Sequence, residues 1–214
     1  PGHYDVKLSD IERLRKAALV VGFRGMGVLP DMKGVESRRL LVETGGRNWM
    51  VPGAFVAGTE QVARELSRRL PAHRGAIAAR QRSLTARVKA AEARLARQLQ
   101  AGGARGAVVI ASSLQQPTLE WMGLRVVGSY GRPETLSTQE VVRLIGLGKR
   151  HRAVLVVDNL QSGPDAGKGI AEALGVPRVV LTNFPDERGY LPTLETNVRR
   201  VIAALRGGPR EPRR

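Results

Sequence analysis

Apolar residues recur along this chain in two rhythms. Between Ala72 and Ala101, Ile77, Leu84, Val88, Ala91, Leu95 and Leu99 are spaced by sums of three and four, which puts them on one face of a single helix. Six arginines and a lysine are spread over the other positions, Pro71 precedes the stretch, and Gly102-Gly103 ends it. At about 1.5 Å per residue this helix would be roughly 45 Å long, more than a compact lobe of this size needs. Elsewhere the apolar runs are short and rich in β-branched residues, as buried parallel strands are. They fall at 17–23, 40–42, 107–111, 124–127, 154–157 and 179–181.

Between the runs, periodic polar stretches predict helices. Ser9 is placed to cap a helix over 10–16, and 59–70 reads as amphipathic through Val62, Leu66 and Leu70. Ser112 or Ser113 would cap a helix that reaches Met122 and stops at Gly123. Ser137, with Glu140 three residues on, makes a capping-box start for 138–148. Helices over 163–174, closed by Gly175, and over 191–205 complete the pattern. The fold class this predicts is α/β, as two lobes with parallel sheets joined by one long rigid helix. The expected division is an N-terminal lobe over 1–71, a linking helix over 72–101, a C-terminal lobe over 102–206 and a disordered basic tail over 207–214. The first lobe has too few strands for a full sheet, so an opening strand–helix unit is expected to be missing from it.

Composition narrows the function less than the fold. Lys and Arg total 35 against 19 Asp and Glu, a formal net charge of +16. The basic residues are spread over every segment and aromatics for base stacking are few, so nucleic acid is not the expected partner. With no cysteine there are no disulfides and no thiolate metal sites. No apolar run approaches the roughly 20 residues of a membrane span. There is no GxGxxG, phosphate loop, GxSxG or HExxH, so the chain is not expected to be an enzyme. Polar residues gather where the strands end: Ser112, then Asp158, then Asn183, Asp186 and Glu187. The carboxyl ends of strands in an open α/β sheet are where ligands bind.

The order of motifs resembles the extracytoplasmic zinc- and manganese-binding proteins of ABC importers, the helix-linked cluster of solute-binding proteins. Residues 2–11 (GHYDVKLSDI) resemble the family's opening stretch, and Ala17–Val21 its "ADLVV" strand. Trp49 and Pro52 fit "HxWxDP", and the Leu70-Pro71 step leads into a helix like the family's linker. Ser112 through Trp121 to Gly123-Leu124 follows "HxaFxYfxxxyGL", and Tyr190–Leu205 with Asn197 follows the closing helix. The resemblance implies two lobes with a small ligand in the cleft between them, zinc or manganese as that ligand, and an ABC importer membrane subunit as partner. It also implies an extracytoplasmic location, with no signal segment present in the chain.

At the positions the resemblance assigns to metal ligands stand Gly2, with His3 one place off, then Arg47, Ser112 and a position near Asn183. Arginine repels a cation, and zinc needs imidazole, carboxylate or thiolate. The candidate cleft residues are therefore His3, Arg47, Ser112, Asp158 and Asn183, of which His3 and Asp158 are the metal candidates. Three readings stand: a solute-binding protein of metal uptake whose site is kept through His3 and acids, or is lost or rebuilt; an anion or small-molecule site through Arg47; and a basic scaffold for nucleic acid or acidic surfaces.

Overall fold

The computed structural model describes residues 7–23 and 36–207. His3 and the tail beyond Gly207 lie outside the described residues. By their internal contacts the described residues form two compact units. Unit 1 takes residues up to Gly46 together with Gly53–Arg87, and unit 2 takes Arg47–Pro52 together with the chain from Val88. The boundary thus cuts the long helix in its middle, and six residues from the first half of the sequence go with unit 2.

Unit 1 contains α1 (Leu8–Lys16), the parallel pair β1 (Val20–Phe23) and β2 (Arg39–Val42), most of α2 (Pro52–Arg69) and the first half of α3 (Arg74–Ala101). Helix α1 begins before the expected cap. Asp10 accepts from the Lys7 backbone N–H at 3.1 Å, so Ser9 lies inside the first turn. Helix α2 starts seven residues earlier than the pattern suggested, at Pro52. The glycines of its first turns weigh against a helix, but Pro52 has the φ that a first turn wants and Ala54 is buried. Side chains hold the two strands to α2. Gln61 accepts from the Glu43 N–H and donates to the Glu43 carbonyl, and Arg69 donates to the carbonyls of Ala18 and Ser37.

Unit 2 is a four-stranded parallel sheet in the order β4-β3-β5-β6, formed by Arg125–Tyr130, Val108–Ser112, Leu155–Asn159 and Arg178–Leu181. Ile110 and Val156 pack into a cluster with Leu144 and Ile170, from α5 (Thr138–His151) and α6 (Lys168–Leu174). Their neighbours Val109, Ala111, Leu155 and Val157 are equally buried. Side chains alternate across a strand, so both faces of the sheet are covered, which is why β3 and β5 read as unbroken apolar runs. The second half of α3 contributes Val88, Ala91, Leu95 and Leu99 to the core, as its spacing predicts. Ile77 and Leu84, in the first half, are only half-buried. Helix α7 (Tyr190–Leu205) buries Leu194, Val198 and Val201, and α3 meets it through an Arg94–Glu195 ion pair at 2.5 Å.

In unit 2, two further helix starts differ from expectation. Strand β3 runs on through Ser112, so the helix that follows, α4 (Gln116–Trp121), has Gln115 at its cap position and no side-chain cap from Ser112 or Ser113. Helix α6 starts at Lys168 rather than at 163, because the chain before it is tied to the strand ends by side chains described below. Ser137 does cap α5, accepting from the Glu140 N–H at 3.2 Å.

Candidate functional site at the strand ends of unit 2

After β3 the chain moves outward to β4, then returns to the other side of β3 to lay down β5 and β6. This reversal is a topological switch point, and it leaves a crevice beyond the carboxyl ends of β3 and β5. Gln115 follows β3, Asn159 ends β5 and Asn183 follows β6. Asn48 arrives from the 47–52 segment that packs with this unit. All four are carboxamides, and their hydrogen bonds join them into one cluster.

The direction of every bond in the cluster follows from one backbone group. The Met50 N–H can only donate, and it reaches Asn48 Oδ1 at 2.9 Å, with the Thr118 hydroxyl donating to the same oxygen at 2.8 Å. Asn48 Nδ2 must then point the other way, toward the Leu114 carbonyl at 2.8 Å and Asn183 Oδ1 at 3.3 Å. Asn183 in turn donates to the Leu114 carbonyl and presents its oxygen to the cluster. Gln115 meets that oxygen with Nε2 at 2.8 Å and uses its second N–H on Asn159 Oδ1 at 2.9 Å. Asn159 Nδ2 donates to the Ser162 hydroxyl at 2.9 Å. Asn48 is satisfied in all four of its hydrogen-bonding valences. Two buried atoms are left over, Gln115 Oε1 and Ser112 Oγ, neither of which has a partner among the described residues.

A second polar network lies beneath the same strand ends. Asp158 is fully buried. Its Oδ1 accepts from the Tyr130 hydroxyl at 2.6 Å and the Gly167 N–H at 2.8 Å, and its Oδ2 pairs with Arg178 at 2.9 Å. Arg178 also bonds the Pro164 carbonyl and Asp165, so the two residues pin the 160–167 connection to the sheet. Burial pushes the Tyr130 hydroxyl well above its usual range, and the Asp158 charge adds to this, so the phenol stays a donor. Gly167 is required here by space: a Cβ would fall 2.3 Å from the Tyr130 hydroxyl and 2.7 Å from Val156.

The residues expected from the sequence are therefore dispersed among different roles. Asn183 is in the cluster. Ser112 lies at the end of β3 with its hydroxyl buried. Asp158 is committed on both oxygens to Tyr130, Gly167 and Arg178, so it has no oxygen free for a metal. Arg47 is exposed and makes no hydrogen bond or ion pair with another described residue. Asp186 is exposed and chelated by Arg188, whose hydrogen bonds hold its carboxyl below the usual range. No group of three or more His, Cys, Asp or Glu that could hold a metal occurs among the described residues. A divalent ion at the strand ends would meet neutral amides, and the side-chain oxygens of Asn48, Asn159 and Asn183 already accept N–H bonds. That donor set does not fit zinc, nor the oxygen-rich anionic sphere manganese prefers. Asn48, Gln115, Thr118 and Asn159 were not singled out from the sequence. The available signal was an amide within four residues of the end of the 107–111, 154–157 and 179–181 runs, and one beside Trp49.

The fold and the sequence have known counterparts. A manganese-bound variant of the periplasmic metal binding protein from candidatus liberibacter asiaticus aligns with a TM-score of 0.78 at 13% identity, covering 95% of this chain and 87% of that one. The cadmium-bound form of the same protein aligns with a TM-score of 0.77 at 14% identity, covering 95% and 86%. A zinc-bound deletion mutant of ZnuA gives a TM-score of 0.76 at 18% identity, covering 95% and 86%. At such identities the likeness establishes the fold alone. No curated protein matches the chain by sequence. The family model described as ZnuA, the periplasmic component A of the zinc-uptake complex, matches residues 47–204. That match runs from the segment carrying Asn48 almost to the end of α7, and so the chain belongs to the ZnuA family and is a solute-binding component of metal uptake.

Proposed function

We propose that this chain is a divergent member of its family, an extracytoplasmic solute-binding protein working with an ABC importer, whose strand-end site in unit 2 has been rebuilt in neutral amides. The observation that carries this reading is the bond direction in the cluster: both asparagine oxygens that could face an ion accept N–H bonds from Gln115. A family of this kind binds and delivers; it does not transform what it binds. No described helix is long and apolar enough to cross a membrane. Zinc and manganese are the solutes to test first, since the matching structures include zinc- and manganese-bound proteins. The anion reading through Arg47 and the basic-scaffold reading gain nothing from the family match.

Isothermal titration of the purified chain with Zn²⁺ and with Mn²⁺ at neutral pH, after chelator treatment, tests the reading. The expected result is no one-to-one binding at micromolar protein. Saturable one-to-one binding that survives in Asn183→Ala would place an ion elsewhere, and binding lost in that variant would mean the cluster opens to a metal. Either outcome defeats the reading.

A further inference from the structure

We infer that Gln115 is the specificity-determining residue of the strand-end cluster: its side-chain amide nitrogen sits where a bound cation would sit and excludes one. This rests on the reading just given and names the residue responsible for it. A cation site is a point on which several oxygens converge. In this cluster two side-chain oxygens, Asn159 Oδ1 and Asn183 Oδ1, converge on one atom, and that atom is Gln115 Nε2, at 2.9 and 2.8 Å. Its two protons carry the partial positive charge of the amide and are divided one to each oxygen. An internal N–H pair thus does at neutral charge what an ion would do with two positive charges.

Three observations make this more than a packing contact. The geometry lies at the switch point, where the ends of β3 and β5 leave a crevice. The orientation of Gln115 is dictated from outside, through Met50, Asn48 and Asn183, so the amide cannot turn its oxygen inward without opposing two acceptors. The group left unpartnered is the other end of the same amide: Gln115 is fully buried, yet Oε1 has no donor among the described residues. A buried carbonyl without a partner is costly. The side chain keeps this orientation because the reverse would set Oε1 against two other oxygens and leave Asn159 Oδ1 unserved.

The decisive change is Gln115→Glu, which keeps the shape and turns the nitrogen into a carboxylate oxygen facing Asn159 and Asn183. Thermal midpoints are read with and without Mn²⁺, an ion suited to oxygen ligands. The wild-type chain is expected to move by less than about 1 °C. Gln115→Glu is expected to melt lower without metal and to rise by about 5 °C or more once Mn²⁺ exceeds its Kd about a hundredfold. A parallel pair avoids placing a charge at 115. Asn183→Asp should give no Mn²⁺ shift while the Gln115 amide still bridges, and Asn183→Asp with Gln115→Met should give one. A folded Gln115→Glu without a shift, or a double variant no more responsive than Asn183→Asp alone, overturns the role of Gln115. A Mn²⁺ shift in the wild type overturns instead the proposed loss of the metal site, and the two failures are told apart by which protein responds.

Discussion

Replacing Asn48 by alanine isolates the residue on which the direction of the cluster depends. Four hydrogen bonds end on its side chain, but they are not equally exposed to its loss. The Leu114 carbonyl keeps the Asn183 amide, and Asn183 Oδ1 keeps Gln115. The Met50 N–H and the Thr118 hydroxyl lose their partner, and both residues are fully buried. Stranding a buried donor costs about 1–3 kcal/mol, so with two stranded Asn48→Ala should destabilise unit 2 by about 2–6 kcal/mol. For a chain of this size that is a fall in midpoint of roughly 5–15 °C. Calorimetry gives the midpoint, and hydrogen exchange adds a local reading, since the Met50 amide should lose protection more than its neighbours do. Asn48→Asp sharpens the test. It still serves Met50 and Thr118, but its second oxygen faces the Leu114 carbonyl and Asn183 Oδ1, two acceptors. Its carboxyl should therefore be raised in the folded state, so that stability recovers as pH falls and the group becomes protonated. Arg47→Ala, one residue away and exposed, is the control and should be silent. A midpoint for Asn48→Ala within 1 °C of that control would refute the reasoning.

Further changes probe the rest of the scaffold. Asp158→Ala removes one partner of a buried ion pair and strands the Gly167 N–H, while the Tyr130 hydroxyl keeps the Val157 carbonyl, and should cost about 3–5 kcal/mol in chemical denaturation. Gly167→Ala drives a methyl group into the Tyr130 hydroxyl and should cost about 1–3 kcal/mol. Part of that loss should return in the double variant with Tyr130→Phe, which a double-mutant cycle would show as coupling. In unit 1, hydrogen bonds from Arg68 and then Arg69 lower Glu65 to about 2. A lowered carboxyl contributes stability above its unfolded value near 4.5, and that contribution is lost as pH falls through about 2. Acid titrations of wild type and Glu65→Gln should accordingly differ at neutral pH and converge toward pH 2.

Much of this architecture could be read from the chain because burial imposes a period on it. The β3 and β5 runs are apolar on both faces, and the α3 seam from Val88 to Leu99 keeps its three-and-four spacing, so both were legible. The start of α2 was not, since Pro52-Gly53 looks like a turn until the burial of Ala54 is known. The cluster was legible only in part. Asn183 and Ser112 could be found by counting along strand ends, but the orientation of an amide depends on its neighbours. Gln115 and Asn159 are linked over 44 positions and Asn48 and Asn183 over 135, separations at which no local pattern operates. Asp158 misled for a related reason. A carboxylate at a strand end looks like a ligand until its partners, Tyr130 and Arg178, are seen to have claimed it.

The six residues 47–52 also set how this protein can be divided by recombination. A crossover in α3 would appear to exchange one lobe for another and leave each gene half intact. It would in fact deliver a second half with Gln115, Thr118 and Asn183 but with another protein's residue in place of Asn48. The heritable module is the pair of segments 47–52 and 88–207, separated by 35 codons of the other unit. Chimaeras among relatives should therefore be compatible according to what the short segment carries, more than according to where the helix is joined.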